Sequence, residues 1–167
     1  NIDPIKIIQT FHSLGVGIPE FNKPYPVSVR TYSSFFRVLF NASYLNIEMS
    51  EKALELLSQA EFSLGIRSGI PAGIAVAHKF GIREIGDSIG KQLHNCGIVY
   101  YPNHPYVICV MTRGTDFKKL AGVIADISTE IYREVVLADE GGGGIKGSTF
   151  IVAVHRLCRQ IEKSNKT

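Results

Sequence analysis

The chain has 167 residues, 45% of them hydrophobic, and a formal net charge of +3. This is enough for one domain with a hydrophobic core, and the mild, scattered positive charge gives no case for nucleic-acid binding. No apolar run approaches the ~18 residues of a membrane-spanning helix, and no signal-peptide pattern is evident. The sequence has no Cys-x-x-Cys motif and no histidine cluster that would imply a metal, so no cofactor is expected.

The N-terminal part of the chain predicts helices. Asp3 is a good N-cap and Pro4 a good first helical residue, and two glycines would end this first helix. Its apolar positions recur at helical spacing: Ile5, Ile8, Phe11 and His12. A proline-rich loop over residues 17–26 follows. Ser28 and Ser50 are then expected to cap two more helices.

The middle of the chain predicts strands. Ile74–Ala77 is a short apolar run typical of a buried strand, and Lys79 and Gly81 stand at its end. Two longer apolar runs, His94–Tyr101 and Tyr106–Thr112, are separated by a turn. Three strands in sequence predict an antiparallel meander, and their apolar character on both faces predicts that helices cover the sheet.

The C-terminal part predicts a long helix, a connector and a second helix. Thr115 or Asp116 would cap the long helix, and its apolar stripe ends at Val135. Residues 138–147 contain four consecutive glycines and predict a flexible connector. The stripe of the last segment, residues 148–167, has helical spacing: Ile151, Val154, Leu157, Cys158 and Ile161.

The three cysteines, Cys96, Cys109 and Cys158, have apolar neighbours in the sequence. Adjacent strands could bring Cys96 and Cys109 together. The apolar surroundings favour buried thiols instead, and both interpretations remain open at this point.

Lys79 is the first candidate for a functional residue. A lysine at the end of a buried strand must reach a carboxylate or line a cleft, because burial of an unpaired ammonium is costly. Gly81, two residues on, favours the cleft, since glycine lets a ligand or another backbone approach closely.

The run Val76-Ala77-His78-Lys79-Phe80-Gly81 resembles the Lys-Thr-Gly element of serine β-lactamases and penicillin-binding proteins, commonly Val-Ala-His-Lys-Thr-Gly. The order of the surrounding segments also resembles that family from residue 1 to about residue 135. The resemblance implies an α+β fold, an antiparallel sheet flanked by helices. Residues 1–137 would form the core, with helices over 1–64 and the strands and long helix over 70–137.

The resemblance also implies roles for individual residues. Lys79 would hold a substrate carboxylate, and Gly81 and Ile82 would lie on the substrate-binding edge strand, with the N–H of Ile82 as an oxyanion-hole donor. Asn1 would orient a substrate amide, as the last residue of a Ser-Asp-Asn element. Gly147-Ser148-Thr149-Phe150 resembles the start of the nucleophile helix, which makes Ser148 the candidate nucleophile.

Several positions depart from the family pattern. Ile151 stands where a lysine should accept the proton of Ser148, so Ser148 would alternatively be an N-cap. Phe80 replaces a hydroxyl residue that helps to bind the substrate carboxylate. Glu20 is the only candidate for the glutamate that activates the deacylating water, in a loop that looks shorter than the family's. The nucleophile-like segment also comes last in the chain instead of first.

The resulting hypothesis is a serine hydrolase that acts by acyl transfer on a β-lactam or peptide-like carbonyl, weak or inactive as this chain stands. The alternative is a non-catalytic binding or scaffold module on the same fold. The resemblance implies an extracytoplasmic location and a small-molecule or peptide substrate. The apolar stripe of the last segment predicts that it docks on the N-terminal helices, within one chain or exchanged between two copies in a homodimer.

Overall fold

The structure is a computed structural model that describes residues 3–18, 26–84, 90–141 and 151–154. Four helices and four strands lie within these ranges, besides a short 3₁₀ turn. Their bounds in chain order are α1 Pro4–Ser13, α2 Val29–Phe40, α3 Ile47–Ser58, the 3₁₀ turn Arg67–Gly69, β1 Val76–Glu84, β2 Lys91–Val99, β3 Tyr106–Gly114, α4 Phe117–Glu140 and β4 Ile151–Val154.

The helices begin at residues whose side chains accept backbone hydrogen bonds. Asp3 and Ser28 cap α1 and α2, and Asp116 caps α4 by accepting from the N–H of Lys119. The prediction for α3 was wrong: Asn46, rather than Ser50, is its N-cap and accepts from the N–H of Met49 at 2.8 Å. Asn46 has the extended backbone of an N-cap and satisfies one of the free N–H groups of the first turn, whereas Ser50 lies inside the helix and is buried.

The sheet has the strand order β1-β2-β3-β4. β1, β2 and β3 form the predicted antiparallel meander, with Lys79 opposite Cys96 and Cys96 opposite Cys109. Because side chains alternate along a strand, Lys79, Gly81 and His94 share one face, here called the α2–α3 face. The other face, which α4 covers, is called the α4 face.

Each face of the sheet has its own core. On the α4 face, Leu120 and Ile124 of α4 pack with strand residues such as Ile108 and Val110. On the α2–α3 face, Val29 and Phe36 of α2 pack with Ile98, Val107 and both strand cysteines. An antiparallel sheet covered by helices is the α+β architecture that the sequence predicts.

The prediction of a helix over the last segment was wrong where the structure describes it. Ile151–Val154 is a strand, β4, parallel to β3, with Ile151 opposite Val107. The run Ile-Val-Ala-Val is rich in β-branched residues, which favour strands, and β3 offers it an edge on which to pair. The rest of this segment lies outside the described residues, so its predicted docking on the N-terminal helices, within one chain or exchanged between two copies, stays a prediction.

Two further expectations about helices differ from the structure. α4 continues to Glu140, so the first three residues of the predicted 138–147 connector are helical. The apolar stripe of α1 is not a core stripe, since α1 has no buried residue and Ile5 is 62% exposed. Helical spacing of apolar residues predicts a helix, but it does not specify what the helix packs against.

The expectation of free thiols was wrong for the two strand cysteines. Cys96 and Cys109 face each other on β2 and β3, with Cα atoms 3.9 Å apart, and form a disulfide. Both are fully buried in the core of the α2–α3 face, as their apolar neighbours indicated. The register of β2 on β3 determines the pairing, and sequence spacing alone did not reveal it.

Candidate functional site

Lys79, Gly81 and Ile82 lie together on β1, which is the first strand in the sheet order. Lys79 and Gly81 belong to the α2–α3 face, and Ile82 belongs to the α4 face. The side chain of Lys79 is exposed, and Ile82 is 51% exposed. The structure therefore places three of the five predicted site residues on one accessible strand.

The backbone of β1 alternates between groups that pair with β2 and groups that point away from it. The N–H of Tyr100 donates to the carbonyl of Ala75, so these two residues form a hydrogen-bonded pair. Every second residue along this register forms such a pair, so the N–H and C=O groups of Lys79 and Gly81 also bond to β2. The N–H and C=O groups of Phe80 and Ile82 point away from β2. The N–H of Ile82 thus points away from β2, out of the edge of the described sheet.

Lys79 interacts with its neighbour Phe80 at this edge. Its ammonium donates to the Phe80 carbonyl at 2.9 Å and lies 5.0 Å from the centre of the Phe80 ring. The Phe80 ring in turn stacks on Phe62, with ring centres 3.9 Å apart. A cation over an aromatic face is favourable, so Phe80 gives the lysine charge a local partner in place of a carboxylate.

His94 covers Gly81 on the α2–α3 face. Gly81 and His94 are opposite each other in the register, and a Cβ atom at position 81 would collide with Cε1 and Nε2 of the His94 ring. The Tyr32 ring meets His94 edge-on at 5.2 Å. Burial lowers the pKa of His94, and the charge of Lys79 lowers it further. Gly81 therefore admits a neighbouring side chain, whereas the sequence suggested the approach of a ligand.

Asn95 makes three hydrogen bonds through its side chain, two of them to residues of β1. Its Oδ1 accepts from the N–H of Ile66 at 2.9 Å, which turns its Nδ2 toward β1. Nδ2 donates to the Lys79 carbonyl at 3.2 Å and to Nδ1 of His78 at 3.0 Å. The hydrogen of the neutral His78 ring is therefore on Nε2. Asn95 is completely buried, so it fixes the backbone at Lys79 from within the core.

His78 and the segment before β1 complete this support. His78 is 1% exposed, and burial followed by the charge of Arg67 lowers the pKa of its imidazole. Arg67 donates to the carbonyls of Ile74 and Pro71 at 2.8 and 3.1 Å, which ties down the segment that leads into β1. β1 is thus held at its entry and at its centre, while its outer edge stays accessible.

The remaining predicted residues, Asn1, Glu20 and Ser148, lie outside the described residues. His94 and Asn95 are the functional candidates that the sequence interpretation missed. Their signal was two adjacent polar residues directly before the apolar end of a strand, which require polar partners or a ligand when buried.

The fold is similar to that of the serine β-lactamases and penicillin-binding proteins. The family model described as "Beta-lactamase enzyme family" matches residues 10–135. The chain belongs to this family. No curated protein sequence matches it.

Solved structures with the same fold include both kinds of protein. A β-lactamase from Chitinophaga pinensis DSM 2588 has a TM-score of 0.65 and 18% sequence identity, over 78% of this chain and 55% of that one. The TLA-1 extended-spectrum β-lactamase has a TM-score of 0.64 and 15% identity, over 79% and 54%. PBP-A has a TM-score of 0.62 and 18% identity, over 79% and 51%. The chain thus spans about half the length of each of these proteins.

The described helices and clusters add two observations. None of the helices in the described ranges is both long and apolar enough to cross a membrane. Among the same residues, no group of three or more histidine, cysteine or acidic side chains could hold a metal ion.

Proposed function

We propose that this chain provides the substrate-binding strand of a serine hydrolase of the β-lactamase and penicillin-binding type. The substrate would be a β-lactam or a peptide-like compound, and the reaction acyl transfer from its carbonyl. The observation that carries the proposal is the outer edge of β1, where Lys79 is exposed and the N–H of Ile82 points outward. Family membership supports the same proposal.

In the proposed reaction, a serine oxygen attacks the substrate carbonyl carbon and the amide C–N bond breaks. The N–H of Ile82 donates to the oxygen that becomes negative, and the Lys79 ammonium binds the substrate carboxylate. The proton of the serine hydroxyl passes to the amine nitrogen, which leaves from a peptide-like substrate but stays attached to the opened ring of a β-lactam. Water later releases the acyl group from the serine. Gly81 and Asn1 complete the substrate contacts in this proposal, and Ser148 is the candidate nucleophile within this chain.

We expect weak catalysis. The residue three positions after Ser148 is Ile151, which cannot accept a proton and begins β4 instead of continuing a helix. General-base assistance is typically worth about 10²- to 10⁴-fold in rate. Purified protein should therefore hydrolyse nitrocefin slowly at best and react slowly with a fluorescent penicillin.

Four proteins test this proposal: wild type, Lys79→Met, Ser148→Ala and the control Lys118→Met, which removes an exposed lysine on α4. A hydrogen bond to a charged group contributes about 1.5–3 kcal/mol, so Lys79→Met should slow labelling roughly 10- to 150-fold. Ser148→Ala should abolish labelling, and the control should match wild type. Labelling that is equal in Lys79→Met and wild type would contradict the role of Lys79. Rapid nitrocefin turnover that disappears in Ser148→Ala would show that a base acts on Ser148 after all.

A non-catalytic binding module is the second candidate function. It is favoured by the strand at Ile151–Val154, where a nucleophile helix was expected. Reversible β-lactam binding that depends on Lys79, without any covalent labelling, would support this alternative.

We also propose an extracytoplasmic location. Family resemblance suggests it, and the Cys96–Cys109 disulfide supports it independently, because stable disulfides are typical of oxidising compartments. Alkylation of protein from fractionated cells, with and without prior reduction, tests this. Free thiols at both strand positions in freshly isolated protein would contradict it.

A further inference from the structure

Three polar side chains form a row across the end of the sheet where β1 and β3 finish and β2 begins. Arg83 of β1 is opposite Gln92 of β2, and Gln92 is opposite Arg113 of β3. Opposite residues of an antiparallel pair point to the same face, and the alternation along each strand places this row on the α2–α3 face. Both arginines are exposed and Gln92 is partly buried, so the row is accessible from solvent.

The donors of this row have no acceptors among the described residues. None of the ion pairs there includes Arg83 or Arg113, and Gln92 makes no side-chain hydrogen bond. Glu84, the next residue along β1, belongs to the α4 face and pairs with Lys91 at 3.5 Å. Two guanidinium ions on one face repel each other, and an anion bound between them would remove that repulsion.

The backbone next to Gln92 leaves room for such an anion. Neighbouring strands are about 4.8 Å apart, so the Cα atoms of Arg83 and Arg113 are separated by roughly 10 Å, with Gln92 between them. Gly90, just before β2, has a φ of 120° and no side chain. Nε of Arg113 lies 4.0 Å from the place that a Cβ atom of residue 90 would take, so the Arg113 side chain leans from β3 toward β2.

We propose that Arg83, Gln92 and Arg113, here called the arginine row, bind a phosphate group of a phosphorylated ligand. A guanidinium donates to two phosphate oxygens at once, and a terminal phosphate presents enough oxygens for two guanidiniums and an amide. A diphosphate also has the length to reach both arginines. The inference goes beyond the proposed function and does not depend on it, because the arginine row shares no residue with the proposed substrate contacts and begins four residues beyond Lys79 along β1.

Isothermal titration of the full chain with pyrophosphate, and with inorganic phosphate as the shorter probe, tests this proposal. Pyrophosphate should bind more tightly than phosphate. Arg83→Gln and Arg113→Gln should each weaken pyrophosphate binding about tenfold, the lower end for a hydrogen bond to a charged group, because both side chains are exposed. The matched control, Arg37→Gln, removes an exposed arginine from α2 and should leave binding unchanged.

A second measurement identifies the source of the phosphate. Cosedimentation with phosphatidylcholine vesicles that contain phosphatidic acid, lost in Arg83→Gln, would assign a lipid headgroup, whereas binding of pyrophosphate alone would assign a soluble ligand.

Three results would overturn the inference. The first is pyrophosphate binding that persists when both arginines are replaced. The second is binding that Lys79→Met removes and the arginine variants do not, since the anion would then lie at Lys79. The third is an absence of binding to phosphate, pyrophosphate and the vesicles alike. Thermal unfolding checks the variants, which should keep the wild-type midpoint because neither arginine has a described ion-pair partner. Covalent labelling with a fluorescent penicillin decides the proposed function separately.

Discussion

Replacing Asn95 with alanine tests whether this buried amide holds the substrate-binding strand. The change removes the acceptor of the Ile66 N–H and the donor to Nδ1 of His78, both of them buried. Each buried polar group left without a partner costs about 1–3 kcal/mol, so the free energy of unfolding should fall by about 2–6 kcal/mol. The Lys79 carbonyl also loses a donor, but it keeps its place in the β1–β2 ladder.

Urea denaturation of the purified proteins measures this loss, with Gln92→Ala as the matched control. Gln92 lies on the same strand, is only partly buried and makes no side-chain hydrogen bond among the described residues. Its replacement should change stability by no more than about 0.5 kcal/mol.

A stability of Asn95→Ala within about 0.5 kcal/mol of wild type would refute the reasoning. It would mean that water or a rearranged loop satisfies the Ile66 N–H as well as Asn95 does. The support assigned to the strand at Lys79 would then come from packing alone.

Three other predictions concern the stability of the fold. The Cys96–Cys109 disulfide has a sequence separation of 13 residues, so Cys109→Ser should lower the free energy of unfolding by about 3 kcal/mol, with reduced wild type as the comparison. The pKa of His78 is lowered in the folded state from 6.5, so the unfolded chain binds more protons, and urea denaturation should show stability falling as the pH drops below about 6.5; a constant stability between pH 7.5 and 5.5 would contradict this. Truncation after Gly141 removes β4 and exposes the β3 edge, so light scattering should detect association, whereas a monomer of unchanged stability would show that β4 contributes nothing.

The sequence predicted the elements whose signals are local. Apolar runs with a turn between them gave the β2–β3 hairpin, and Asp3, Ser28 and Asp116 marked the starts of three helices. The Lys-Thr-Gly-like run gave the family and the strand that carries the predicted binding residues. Each of these signals depends on residues close together in the chain.

The features that sequence reasoning missed depend on contacts between distant residues. The disulfide follows from the register of β2 on β3, and the Asn95 hydrogen bonds join residues up to 29 positions apart. The helical spacing of the last segment predicted a helix, but Ile151–Val154 pairs as a strand with the open edge of β3. Tertiary pairing outweighs local periodicity in such short segments.

The amide resonance of Ile82 offers the most direct test of the proposed function. ¹H–¹⁵N NMR of the full chain with added benzylpenicillin should show the largest shifts at the Ile82 amide and its neighbours on β1, because the ligand carbonyl is proposed to accept a hydrogen bond from that N–H. These shifts should weaken in Lys79→Met and persist in Lys118→Met. Binding that shifts resonances elsewhere and leaves the Ile82 amide unchanged would contradict the assignment of β1 as the substrate-binding strand.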